Sequence, residues 1–332
     1  MIFDVLLFVV GLFFILIAAE LFTNGIEFLG YKLNVSQGFT GSVLAAVGTA
    51  LPETILPIIA VLFFAETSGH EIGIGAILGA PFMLSTLAFP LIGITSLIAY
   101  FAGKRSLGLN VETDTLRRDI VFFLFAYSIA LFVVPYESFT LRVFTAIFLL
   151  ILYIIYVFLT LKSEGNEMEE VEHLYLFPKN KNPSILIILF QVVLSLIIMI
   201  TGAHIFVHGL EVISHLIGIS PLIFSLLISP IATELPEKIN SILWVWRNKD
   251  ILAIGNVSGA MVFQSTIPVS FGVVFTKWDI TGLAFTSGVF AIIASFLVLI
   301  FSYINRKFLP IGMTIGLIFF ISYLLLVLTQ KG

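Results

Sequence analysis

Gly48-Thr49-Ala50-Leu51-Pro52-Glu53 lies inside a long apolar stretch, and the chain writes it again as Ala232-Thr233-Glu234-Leu235-Pro236-Glu237. Each copy sets a carboxylate one residue after a proline, in what reads as a membrane helix. An ionisable group at bilayer depth costs roughly 2.5–3.5 kcal/mol on insertion scales, so it marks a functional site by default. The proline has no N–H, so the carbonyl four residues earlier, on Gly48 or Ala232, loses its helical partner. Freed carbonyls beside a carboxylate, at a break in a membrane helix, are what a dehydrated cation requires.

The composition around these stretches agrees. The 332 residues are 59% hydrophobic and 11% charged, with mean hydropathy +1.14. Several apolar runs approach the roughly 20 residues that span a bilayer. This describes an all-α polytopic membrane protein with no soluble domain between the spans. The net charge of -4 sits in short loops and offers no nucleic-acid surface. The absence of cysteine excludes disulfides and thiolate metal sites. Met1-Ile2-Phe3-Asp4 lacks the basic region of a cleaved signal, so the first apolar run is expected to be retained.

Apolar periodicity predicts ten helices, at about 3–26, 36–65, 72–102, 118–135, 141–161, 184–209, 216–246, 251–276, 280–304 and 309–329. The odd-numbered connections hold twelve of the 16 lysines and arginines; the even-numbered side holds Arg142, Lys277 and Lys331. The positive-inside rule then puts the odd connections in the cytoplasm and both termini outside, as expected for a plasma-membrane protein. The fifth connection is the only long one. Its run Glu164, Glu167, Glu169, Glu170 and Glu172 reads as a solvated linker, with a regulatory cation site as the alternative. The expected organisation is residues 1–163 as a first five-helix repeat, 164–183 as a cytoplasmic acidic linker, and 184–332 as a second repeat.

The two halves align. Ala19-Glu20-Leu21-Phe22-Thr23-Asn24-Gly25-Ile26-Glu27 matches Ala203-His204-Ile205-Phe206-Val207-His208-Gly209-Leu210-Glu211 at an offset of 184, the offset that also relates Glu53 to Glu237. Gly75-Ala76-Ile77-Leu78-Gly79-Ala80 matches Gly255-Asn256-Val257-Ser258-Gly259-Ala260 at an offset of 180. Five spans per half is an odd number, so the second half is upside down relative to the first. Inverted repeats with interrupted helices are the architecture of secondary transporters, with the site at the repeat interface.

Thr49 and Glu53 are four residues apart, as are Thr233 and Glu237, so each pair shares a helix face. Two carboxylates, two threonine oxygens and freed carbonyls form an all-oxygen shell suited to a hard cation such as Ca²⁺ or Na⁺. Glu53 and Glu237 are the metal candidates; the bland reading of either is a protonated, hydrogen-bonded packing residue. Gly75, Gly79, Gly255 and Gly259 read first as close helix packing. That packing brings the third and eighth helices near, with Asn256 and Gln264 as polar candidates. Glu234 is either a third ligand or proton carrier, or a residue facing away. Lys238 is expected to face elsewhere, snorkelling or pairing. His204 and His208 have metal-ligand spacing, but align with Glu20 and Asn24 and read as a solvated helix end.

These two regions resemble the α-repeats of the cation/Ca²⁺ exchanger superfamily, especially its sodium/calcium exchanger branch. The repeats of that family read approximately G-T-S-x-P-E and then G-N-x-x-G-S-N-x-x-N/D. The resemblance covers nearly the whole chain through its paired five-helix halves, and its specific part is about fifty residues in each. It implies that Glu53 and Glu237 bind the transported ions, with oxygens from Thr49 and Thr233. The departures are Ala50, Ala232 and Glu234 in the first motif pair. In the later segments they are Ala76, Ala80 and Ala260, with Leu84 and Gln264 at the last polar position. Few side-chain oxygens remain on the third helix. The glutamate that the proton-coupled branch carries in the later segment is absent from Ala76 to Ala80 and from Asn256 to Ala260.

The function expected is a secondary active antiporter exchanging Ca²⁺, or a similar cation, against Na⁺ or H⁺ by alternating access, with no cofactor. Its partners are inorganic cations and the lipid bilayer; oligomeric state is not encoded in any motif. The alternatives are a proton-coupled transporter of different selectivity, in which Glu234 compensates for lost ligands, and a degenerate, non-transporting relative. An intramembrane hydrolase would need a nucleophile with its base, or H-E-x-x-H on a span. His173 falls in the linker, and His70 and His215 fall at helix ends, against an enzyme.

Overall fold

The computed structural model describes residues 2–33, 50–162, 173–180, 182–304 and 309–329, and every regular element among them is helical. The first half contains α1 (Ile2–Lys32), α2 (Leu51–Phe63), α3 (Gly69–Met83), α4 (Phe89–Phe101), α5 (Thr113–Phe132) and α6 (Phe139–Lys162). The second contains α7 (Ile185–Ile217), α8 (Pro221–Thr233), α9 (Leu235–Trp246), α10 (Asp250–Phe275), α11 (Gly282–Ile304), α12 (Ile311–Thr314) and α13 (Gly316–Thr329). Eight helical segments are long and apolar enough to cross a membrane, and α2 and α8 are shorter apolar helices. This is an integral membrane protein of two inverted five-helix repeats.

Two predicted helices extend further than their apolar cores. α1 continues past 26 to Lys32, and α7 past 209 to Ile217. Backbone hydrogen bonding carries both helices past the expected ends. Gly218, at φ 68°, ends α7 in the left-handed conformation that glycine adopts without a Cβ clash.

α1 and α7, the opening helices of the two halves, lie antiparallel, as inversion requires. Phe8 stacks on Phe206 with centroids 4.5 Å apart, while near the other end Gln191 Nε2 donates to Leu21 O and Asn24 Oδ1, both at 2.9 Å. The end of the linker lies across this pair. Asn24 Nδ2 donates to His173 O, Tyr175 N to Asn24 Oδ1, and Leu176 N to Gln191 Oε1. The acidic run Glu164 to Glu172 lies outside the described residues.

α3 is deeply enclosed. Every residue from Ile72 to Met83 is buried, because this helix packs against both halves. Its glycines permit that. A Cβ at Gly75 would come 2.3 Å from Leu222 O, and one at Gly79 2.2 Å from Leu226 O, so α3 and α8 meet backbone to backbone. After Met83 the helix widens into one π turn, Leu84–Ala88, where Phe89 N reaches Leu84 O, and then resumes as α4. A buried ion pair, Arg105 to Asp250 at 2.5 Å, ties the loop after α4 to the start of α10, and Asn110 N also donates to Asp250.

Candidate cation site

The expected single helix over 216–246 is in fact two. α8 ends at Thr233, α9 begins at Leu235, and Glu234 stands at the junction, its N–H donating to Pro230 O at 3.0 Å. Pro236 is the local cause, because a proline in the first turn of a helix offers no N–H to the turn before it. In the first half α2 begins at Leu51 with Pro52 in its first turn, so Glu53 also sits at a helix start. Thr49 and the rest of 34–49 lie outside the described residues, as does the side chain of Glu237.

Glu53 is 5% exposed, and neither carboxylate oxygen has a hydrogen-bond partner among the described residues. It borders a narrow crevice lined also by Leu56, Ala76, Ala80, Ser229, Pro230 and Thr233. The charged and hydroxyl groups it faces include Thr233, Glu234 and Lys238. The first half therefore supplies the carboxylate, and the broken helix of the second half supplies the wall opposite. Thr233 donates its hydroxyl proton to Ser229 O at 3.1 Å, which leaves the lone pairs of Oγ1 free.

α8 carries two hydroxyls besides Thr233, on Ser225 and Ser229, that the motif comparison does not single out. Ser225, Ser229 and Thr233 recur every fourth residue and so form one column. Ser225 Oγ donates to Ile72 O at 2.7 Å and lies 2.9 Å from Ser229 Oγ. The signal was present in the spacing, but in an apolar helix such serines read as packing residues.

Other candidates stand apart from this crevice. Gln264 is 2% exposed, with Oε1 unpartnered among the described residues, and Asn256 is half-buried on α10; neither lines the crevice. Among the described residues, a Cβ at Gly255 would meet nothing within 4 Å, and one at Gly259 only Tyr156 Oη at 3.6 Å. The close approach expected at both glycine pairs is thus observed for α3; segment 34–49, related by the repeat to α8, lies outside the described residues. On the π turn, Ser85 Oγ donates to Pro81 O and Phe82 O, and Thr86 Oγ1 donates to Phe82 O. These hydroxyls serve their own helix. His204 packs on the rings of Phe63 and Phe64, and His208 on Phe64.

Lys238 pairs, one of the two alternatives expected of it, but towards the motif rather than elsewhere: it is 7% exposed, with Nζ donating to Glu234 Oε2 at 2.6 Å and to Pro230 O at 3.3 Å. Glu234 is 1% exposed, and its Oε1 has no partner among the described residues. Taken together, buried carboxylates and hydroxyls from the two inverted halves meet beside the break between α8 and α9. Polar groups at a helix break on the interface of inverted repeats are the arrangement of secondary transporters as a class.

Comparison with known proteins agrees. The family described as sodium/calcium exchanger protein matches residues 3–162 and 187–332, and the chain belongs to that family. It is 26% identical over 331 residues to an uncharacterized membrane protein of Methanocaldococcus jannaschii, covering 98% of this chain and 97% of that one. It is 24% identical to the inner membrane protein YrbG of Escherichia coli, over 84% of this chain and 82% of that protein. Among solved structures, the fold is similar to that of the H⁺/Ca²⁺ exchanger CAX (TM-score 0.74, 18% identity, 97% of this chain and 82% of the other). It is also similar to the sodium-calcium exchanger NCX_Mj soaked with Na⁺ and Ca²⁺ (TM-score 0.62, 23% identity, 98% of both chains).

Proposed function

We propose that the protein is a secondary active antiporter that exchanges Ca²⁺, or a cation like it, against Na⁺ or H⁺ by alternating access. The observation that carries this reading is the Glu53 carboxylate, buried at the start of a helix with no hydrogen-bond partner on either oxygen among the described residues, and facing the broken helix of the other half. A buried charge without partners is costly, and a cation supplies the missing partner. Glu53 and Glu237 form the core of the site, with Thr49 and Thr233 adding oxygens, and Gln264 and Asn256 as outer candidates from α10. Similarity to exchangers that couple Ca²⁺ to Na⁺ and to H⁺ supports the cation class and leaves both coupling ions as readings. The distribution of basic residues supports a plasma-membrane orientation with both termini outside.

Uptake of ⁴⁵Ca²⁺ into liposomes containing the purified protein tests this, with outward Na⁺ and H⁺ gradients imposed separately. Uptake driven by one gradient is expected. Binding of Ca²⁺ with no uptake under either gradient would instead favour the non-transporting relative.

A further inference from the structure

The inverted repeat exposes one substitution that comes as a pair. At the offset of 184, Glu234 corresponds to Ala50 and Lys238 to Thr54. The first half is uncharged at both positions, and Thr54 merely donates its hydroxyl to Ala50 O at 3.1 Å. The second half has gained an anion and a cation four residues apart, joined at 2.6 Å and both almost completely buried. Both lie within electrostatic reach of Glu53. The second acceptor of the ammonium, Pro230 O, belongs to a residue lining the crevice beside Glu53.

Resting on the cation-exchange reading above, we infer that the Lys238 ammonium is a tethered cation of the transport site. Held on Glu234 Oε2, it withdraws that carboxylate from the charge offered to a transported ion. Glu53, together with Glu237 by its sequence register, then carries the remaining two negative charges, the number that balances one divalent ion. Glu234 Oε1 stays free to contribute an oxygen without contributing net charge. The tethered and the transported cation repel one another across the crevice, so Lys238 sets how tightly the site holds its ion. It is a specificity-determining residue, acting through charge.

The test is the sign of the change in Ca²⁺ affinity, read by equilibrium ⁴⁵Ca²⁺ binding to purified protein at fixed pH and ionic strength. Lys238→Gln releases Glu234 and is expected to tighten Ca²⁺ binding about tenfold or more. Glu234→Gln frees the ammonium to pair with Glu53 and is expected to weaken binding by a similar factor. The double variant Glu234→Gln/Lys238→Gln removes both charges together and is expected to bind Ca²⁺ more tightly than Glu234→Gln and less tightly than Lys238→Gln. An ion pair that only braces the helix break would lower affinity in all of these, and Lys238→Gln binding no tighter overturns the inference. Should Lys238→Gln fail to fold, the double variant, which buries no unpaired charge, decides against Glu234→Gln. Recovery in the double variant supports the tethered cation; equal loss in both overturns it. Unmodified protein that binds no Ca²⁺ overturns the exchange reading itself, a result distinct from any of these.

Discussion

The two halves of this protein carry the same motif and treat it differently. Around Glu53 the first half is plain: Ala50 and Thr54 flank the carboxylate, and the threonine hydroxyl closes on its own helix. At the same register the second half places Glu234 and Lys238, joined to each other and buried. It also builds the hydroxyl column Ser225, Ser229 and Thr233, where the first half has Gly41, Ala45 and Thr49. Inversion forces the two backbones to be alike, since each half must present a broken helix to the other. It places no such constraint on side chains. Charge and hydroxyl content are concentrated on the second half, while the first presents a bare carboxylate to it.

The strongest way to break this comparison is at the shared position. Glu53→Gln and Glu237→Gln are each expected to abolish exchange in liposomes while the thermal unfolding midpoint is retained, because each removes one of the two charges left to offset a divalent ion and keeps side-chain shape. Undiminished ⁴⁵Ca²⁺ uptake by either would remove the proposed site.

Packing gives the next effect. Gly79→Ala is expected to destabilise by about 1–3 kcal/mol, since the new Cβ has only 2.2 Å to Leu226 O and a backbone must move. Thermal unfolding in detergent measures it. Gly259→Ala sharpens the comparison: an equal loss would put segment 34–49 as close to α10 as α8 lies to α3.

The hydroxyl column should matter less. Ser225→Ala removes one hydrogen bond to Ile72 O, which contributes about 1 kcal/mol, and leaves the partner serine in place. A small drop in unfolding midpoint with Ca²⁺ affinity nearly unchanged is the expected result. A large fall in affinity would make the column part of the binding shell.

The smallest effect belongs to Thr54→Val. The hydroxyl bonds only a carbonyl of its own helix, so stability should change by no more than a few tenths of a kcal/mol. Exchange measured in liposomes should be unaffected. The contrast with Lys238, its repeat counterpart, is then a direct measure of what the charged pair adds.

Much of this protein was determined by the sequence alone. The apolar runs specify ten crossings because the bilayer leaves backbone polar groups no partner outside a helix. The odd number of spans per half dictates inversion, and Pro-Glu at an offset of 184 marks the start of α2 and the break between α8 and α9. Other features depended on tertiary packing. Of the two readings of Lys238, snorkelling or pairing, the fold at the helix break selects pairing, with Glu234 one turn back and Pro230 O across the α8–α9 junction. The crevice of Ser229 and Pro230 is likewise made only when α8 meets α3 and α2, because its residues belong to two neighbouring helices of the first half and one helix of the second. Periodicity says which face of a helix is apolar. Which polar groups on that face find each other is decided by the neighbouring helix, and here that neighbour comes from the other half.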